Sequence, residues 1–426
     1  MYLRGSKWSM NKRRKPWNWF RIILLGVLVA GAVYVNQFIV PNVQPIGIPS
    51  PTPTRDPESF VSEAEQLFND GKLSQAIDAY TEVVRARPRD SASYIAMARV
   101  QVWARRYADA KTSAENAILI NPNNSNAHAV RGWALDFQKD YVGATSSIKK
   151  ALEIDPNNAL AHAYYAELLM DESENNAGPL DAVQQASDES KKAVELDPSL
   201  LEAHRARGYV HYLTNHNDLA IPEYQYAIGL NKNLEDLYLS LGLCYRVIEA
   251  NDDAINAFTQ ALTLNPSDPL PNLYISLIEA KLGNFAPALQ YAQQALQAEP
   301  SNANYHGNLG VMLYRNFEYE KAIAEFKLME DGGTLTDGTV VAPLDLTAPR
   351  ASQYYYIYAV TLTKMTPPQC GEAVKLALIL LDKLRTDQTA TFYGNDIVQT
   401  CAGDSGLTET PAAPGSAKTP TITPTP

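Results

Sequence analysis

Proline recurs along this chain with a 34-residue beat. Pro88, Pro122, Pro156, Pro198, Pro266 and Pro300 stand 34, 34, 42, 68 and 34 residues apart, and Lys232 occupies the place that divides the 68-residue gap. Alanine keeps the same beat at Ala76, Ala110, Ala144, Ala186, Ala220, Ala254, Ala288 and Ala322. A third series of small residues runs twelve positions ahead, at Ala64, Ala98, Gly132, Gly208, Gly242, Ser276 and Gly310. In the fourth unit the corresponding residue is Ala166, twenty before Ala186, so eight extra residues lie there. Three series in phase mark an internal repeat. A unit this short cannot bury its apolar face alone, so neighbours must stack into a solenoid.

Each unit reads as two antiparallel helices that cross at the small residues, with Leu67, Tyr80, Ile148, Tyr245, Phe258, Leu313 and Phe326 filling the space between. Asn121-Pro122-Asn123-Asn124, Asp155-Pro156-Asn157-Asn158 and Asn265-Pro266-Ser267-Asp268 separate one unit from the next. Proline cannot continue the preceding helix, and Asn, Ser or Asp caps the following one. With small residues at repeat positions 8, 20 and 27 and proline at 32, the pattern resembles the tetratricopeptide repeat. The resemblance covers eight units over residues 58–330, with a degenerate ninth expected from 352 to 385. It implies an all-α, right-handed α-solenoid whose first helices line a concave groove that binds proteins or peptides.

The ends are of different character. Residues 1–21 hold Arg4, Lys7, Lys12, Arg13, Arg14, Lys15 and Arg21 with Trp8, Trp17 and Trp19, and Ile22–Val40 follows without a charge. As a helix those nineteen residues reach roughly 28 Å, close to the bilayer's hydrocarbon thickness. A transmembrane signal anchor over 22–40 is therefore expected, with the basic N-terminus cytoplasmic and the body outside. Cleavage as a signal peptide after Ala30-Gly31-Ala32 is the alternative. Residues 41–57 read as a Pro/Thr-rich linker and 404–426 as a disordered Thr/Pro-rich tail. The net charge is −11, and without residues 1–40 it is −18. Nucleic acid is excluded as a partner on that sign.

Two stretches break the frame. The acidic segment Asp171–Asn176, within an insertion at 171–178, lacks the ligand alternation of a calcium loop and reads as a solvated loop. Residues 331–350 insert after unit eight, and Asp337-Gly338 between β-prone pieces points to a small hairpin or ordered loop. Residues 351–403 then supply the ninth repeat and a capping helix. Cys370 starts one of its helices and Cys401 ends the next, so antiparallel packing brings the pair together as a disulfide. Its loop closure is expected to contribute on the order of 3–4 kcal/mol. Cys244 reads as a buried small hydrophobe.

No catalytic or cofactor motif occurs, and repeats, insertions and caps account for nearly every residue from 57 to 402, so no enzyme, cofactor or metal site is expected. His128, His162, His204 and His306 all occupy position 4 of their repeats, which points to periodic packing. The groove positions collect Arg99, Trp103, Trp133, Phe137, Arg205, Tyr209, Tyr212, Arg246, Tyr314 and Arg315. Aromatic and Arg side chains anchor interfaces. The expected function is a membrane-anchored, extracytoplasmic scaffold that takes a protein or peptide ligand in this groove, in envelope assembly. A structural spacer and a carbohydrate- or wall-binding module are the alternatives.

Overall fold

The computed structural model describes residues 18–35, 37 and 56–402, in two units that divide at Asp56–Pro57. Among its described residues the first holds one helix, α1 (Trp19–Tyr34), with every side chain of that helix exposed. Sixteen residues rise about 24 Å, short of the bilayer's hydrocarbon thickness of about 30 Å. Among the described residues no helix is long and apolar enough to cross a membrane. The span expected at 22–40 is thus not found as one element. The helix starts three residues earlier, takes in Arg21, and is described to Tyr34, before the polar pair Asn36-Gln37 that divides the apolar run in the sequence. Residues 1–17, 36, 38–55 and 403–426 lie outside the described residues, and with them the basic segment, most of the linker and the tail.

The second unit is a run of helix pairs. They are α2 (Pro57–Asn69) with α3 (Leu73–Ala86), α4 (Ser91–Trp103) with α5 (Tyr107–Ile120), and α6 (Ser125–Asp136) with α7 (Tyr141–Ile154). Next come α8 (Ala159–Glu174) with α9 (Ala182–Leu196), α10 (Leu201–Leu213) with α11 (Asn217–Leu230), and α12 (Glu235–Val247) with α13 (Asn251–Leu264). The eight-unit frame closes with α14 (Pro269–Leu282) and α15 (Phe285–Ala298), then α16 (Ala303–Arg315) and α17 (Tyr319–Asp331). A ninth pair, α18 (Ala351–Thr363) and α19 (Cys370–Lys383), carries the last helix α20 (Gln388–Cys401).

The periodic small residues lie where helices cross. All eight alanines from Ala76 to Ala322 are fully buried, as are Ala64, Ala98, Ala166 and Ser276. At Gly242 a Cβ would stand 2.6 Å from Cε1 of Phe258, and at Gly310 the same distance from Cε1 of Phe326. Both rings are fully buried and have no solvent to swing into. Gly242→Ala is therefore expected to lower stability by about 1–2 kcal/mol, overpacking outweighing the better helix propensity of alanine. Thermal melts followed by circular dichroism check this; an unchanged Tm would mean that the ring has room to turn.

Most units start with a side-chain cap. Asp90, Asn124, Asn158, Asp268 and Asn302 accept from backbone N–H groups two or three residues ahead at 2.8–3.2 Å. Units five and six break the rule: Leu200 and Leu234 stand at the N-cap, and neither side chain caps. Leu234 is instead buried in a cluster with Trp103, Trp133 and Tyr164.

The insertions are structured. Part of the extra length in unit four extends α8 by a turn, so Asp171 and Glu172 end a helix rather than lie in a solvated loop. Glu172 is buried and accepts from Thr145 at 2.6 Å. After α17, strands β1 (Gly333–Thr334) and β2 (Val340–Val341) pair antiparallel around the Asp337-Gly338 turn. Val341 and Leu344 enter the core of units eight and nine. Cys370 and Cys401 are joined, with Sγ–Sγ 2.09 Å and Cα–Cα 5.5 Å, tying the start of α19 to the end of α20. Cys244 is a buried free thiol, its pKa pushed up to about 12 by that burial.

Candidate functional site

The concave side differs between the two halves of the solenoid. In units two to six the first helices α4, α6, α8, α10 and α12 turn so tightly that their inner side chains meet. Arg205 is at the centre. Its guanidinium carbon lies 5.1 Å from the Trp103 ring, 5.2 Å from Trp133 and 5.9 Å from Phe137. Its Nη2 donates to Glu167 at 3.0 Å, and its Nε is 3.5 Å from Asp236. Trp133 is sealed in, stacked on Tyr164 at 4.3 Å, and its indole N–H donates to the same Glu167 oxygen at 3.0 Å. Arg99 donates twice to buried Glu202, at 2.6 and 3.2 Å, and Tyr209 donates to Asp171. Arg99, Trp103, Trp133, Phe137, Arg205 and Tyr209 are therefore brought together, but by one another and by acids of the same chain, not along an open groove.

A seam closes this turn. Arg105 reaches Asp268 at 2.7 Å and Glu235 at 3.2 Å. Asn233 donates its side-chain amide to the carbonyl of Asn69 at 2.7 Å, so the first unit touches the turn between units five and six. Gly71 makes that approach possible: its φ is +75°, and a Cβ there would run into the Asn233 carbonyl. Glu202, Arg105 and Asn233 were not among the expected site residues. Leu at the capping positions 200 and 234 is the sequence signal that these units do something different.

The interior is acidic. Burial, opposed by Arg205 and the Trp133 N–H, and assisted by Asp171, pushes Glu167 up to about 7. Burial likewise lifts Glu235 to about 8 against the pull of Arg105, with Asp268 and Asp236 adding to the rise. Asp136 lies well above the usual carboxylate range through burial and the repulsion of Asp171, Glu167 and Glu172.

The other half is open. Arg246 lies over the Tyr274 ring at 5.1 Å, and its charge also acts on the Tyr212 phenol. Tyr356 stacks on Tyr393 at 4.5 Å, with Phe392 edge-on beside Tyr393. Tyr314 is 5.9 Å from Tyr319, and Phe317, 78% exposed, stands edge-on to Tyr319. Arg315 is exposed, and its charge acts on both Tyr314 and Tyr356. Ile248 and Leu282, at the ends of α12 and α14, are also exposed apolar residues. Arg315 and Phe317 are thus exposed here, while Tyr314 and Tyr356 are half-buried against the core of units eight and nine.

The histidines have a shared structural role. His128, His162, His204 and His306 each place Nε2 2.9–3.0 Å from the carbonyl of the proline six residues earlier. In the last three, Nδ1 meets Glu189, Glu223 or Glu325 of the second helix. A ring flanked by two acceptors donates to both only as imidazolium. For His204, burial opposes the charge, yet the Glu223 hydrogen bond, the Pro198 carbonyl and the Glu223 charge outweigh it and raise the pKa above 6.5. A raised folded-state pKa stabilises at low pH, and that contribution is lost as pH rises through it. The stability gap between wild type and His204→Gln should narrow from about pH 5 to about pH 8 in urea melts. A widening gap would contradict the ion pair. Among the described residues no group of three or more His, Cys, Asp or Glu is placed to hold a metal ion.

Antiparallel helix pairs crossing at small residues on a 34-residue beat define an α-solenoid of the tetratricopeptide kind. Tetratricopeptide repeats are recognised in three stretches: family models of that description match residues 67–134, 235–268 and 275–333. Among curated proteins the chain is similar to anaphase-promoting complex subunit 6 of Arabidopsis thaliana, 30% identical over 101 residues. These are 24% of this chain and 19% of that protein. It is also similar to cell division cycle protein 27 homolog A of the same plant, 24% identical over 90 residues, which are 21% of this chain and 13% of that one. The chain thus spans less than a fifth of the length of these relatives. Among solved structures it is similar to that of pilF from Pseudomonas aeruginosa, at 22% identity and a TM-score of 0.41 over 48% of this chain and 90% of that one. MamA is 28% identical with a TM-score of 0.33, over 40% of this chain and 94% of that one.

Proposed function

We propose that this protein is a non-enzymatic scaffold that docks a segment of another protein on the open half of its concave side, across units six to nine. The observation that carries the reading is the exposed Arg315 and Phe317 with the half-buried Tyr314 and Tyr356, on a chain with recognised tetratricopeptide repeats. Such side chains combine apolar area with a polar handle and dominate interface energies. The curated relatives add modest support, since one is named as a subunit of a complex. The proposal extends to the setting: a membrane-anchored chain with its repeats outside the cytoplasm, acting in envelope assembly. Seven basic residues before an uncharged run, and a cysteine pair within bonding distance, support it.

A photo-cross-linker at Tyr356 of the full-length chain, compared with one at exposed Leu119 on α5, tests the docking face. We expect a discrete adduct from position 356 that disappears with Arg315→Glu while the Tm is unchanged. Adducts from Leu119 alone would refute the assigned face. Alkaline extraction of membranes carrying the full-length chain tests the anchor. Release into the soluble fraction would sink that part and leave the docking face standing.

A further inference from the structure

We propose that the closed interior is also a binding site, and that it takes an alkylammonium group, from a lysine side chain or a free amine. This inference does not depend on the open docking face. A pocket of about 150 Å³ remains between α6, α8, α10, α11 and α12. Four carboxylates line it, those of Asp136, Glu167, Asp171 and Asp236, against the single guanidinium of Arg205. Arg205 is already committed to Glu167, Asp236 and the three rings above it.

Two carboxylate oxygens of these lining residues have no hydrogen-bond partner. Asp136 is 3% exposed and Glu167 2%, and Oδ1 of the first and Oε1 of the second accept no hydrogen bond. A buried carboxylate oxygen left unsatisfied costs its desolvation, and a negatively charged pocket of this kind is completed by a donor that brings positive charge. An ammonium offers three donors and no acceptor, which matches a lining whose open groups are acceptors. Phe137, Tyr209 and Tyr224 complete the wall with aromatic rings, and these attract a desolvated cation. Burial and the neighbouring acids also favour a proton on Asp136 when no cation is present. The mouth lies beside Phe137 and Asp236, the more exposed members of the lining. The volume suits the tail of a lysine. A guanidinium, with five donors in a planar fork, has its place in this core already taken by Arg205.

Calorimetric titration of the full-length chain with cadaverine, and separately with a short peptide containing one lysine, tests the site. We expect saturable binding of at least one of them, weakened at least tenfold in Asp136→Asn and in Ser240→Leu. Ser240→Leu fills the pocket without touching a charge, so it remains informative if the Asp136 variant folds poorly. Binding by cadaverine alone assigns a free amine, and by the peptide alone a protein lysine; both are the alkylammonium chemistry proposed. Equal affinity in both variants, tighter binding of agmatine than of cadaverine, or no heat from either probe would overturn the proposal.

Discussion

Arg205→Ala is expected to cost about 3–5 kcal/mol of stability, measured by urea denaturation, because it leaves the buried Glu167 carboxylate without its counter-charge and removes the cation beside the half-exposed Asp236. It also removes the cation held against Trp103, Trp133 and Phe137, a desolvated arrangement that contributes about 2 kcal/mol in comparable sites. The loss should depend on pH, and the sign follows from Glu167. Its folded-state pKa, already up at about 7, rises further when the guanidinium is gone. A carboxyl that gains a proton no longer needs a counter-charge, so the deficit should be smaller at about pH 5 than at about pH 8. The double variant Arg205→Leu with Glu167→Leu should recover part of the loss, since an apolar pair of similar volume replaces a broken ion pair. A deficit below about 1 kcal/mol for the single variant would mean that water solvates the remaining acids and that the interior is not closed.

Loss of the Cys370–Cys401 bond is the second large effect expected. A 31-residue separation corresponds to about 3–4 kcal/mol of unfolded-state chain entropy. The effect should be local. The bond holds α20 against α19, the last two helices among the described residues. In Cys370→Ser with Cys401→Ser, hydrogen exchange should accelerate first in α20 and α19, while units one to five keep their protection. Unchanged exchange in α20 would show that Ile397, Ala390 and their neighbours hold the cap by packing alone.

The repeat frame was legible because its determinants are local and periodic. Ala76 to Ala322 and the glycines at 132, 208, 242 and 310 mark helix crossings whatever the rest of the molecule does. The hairpin after unit eight was legible for the same reason, as Asp337-Gly338 favours a tight turn. The concave side was only half legible. Position within a repeat identifies inward-facing residues, but the pitch of the superhelix is the sum of small rotations between units, and no local pattern carries that sum. Arg99 and Glu202 are 103 residues apart and appear unrelated until one turn of the solenoid brings them within 2.6 Å. The same blindness applied to Asp171, which lies in an acidic run typical of a solvated loop and instead accepts from Tyr209. The uncharged run 22–40 extends past the described helix into residues 36 and 38–40, which lie outside the described residues.

The seam from Gly71 and Arg105 to Asn233, Glu235 and Asp268 changes how the molecule comes apart. A simple solenoid behaves as a one-dimensional array in which each unit feels only its neighbours, so it can unzip from either end a unit at a time. Here units one and two are bonded to units six and seven. None of the intervening repeats can detach without breaking contacts between residues far apart in the chain. The first seven units are therefore expected to open together, while the later ones keep the stepwise character of an ordinary array. The block also folds late, because its closing contacts join residues about 130–165 positions apart, and each must wait for the repeats between to be nearly in place. An N-terminal fragment ending before residue 231 would keep its helices and lose its lock.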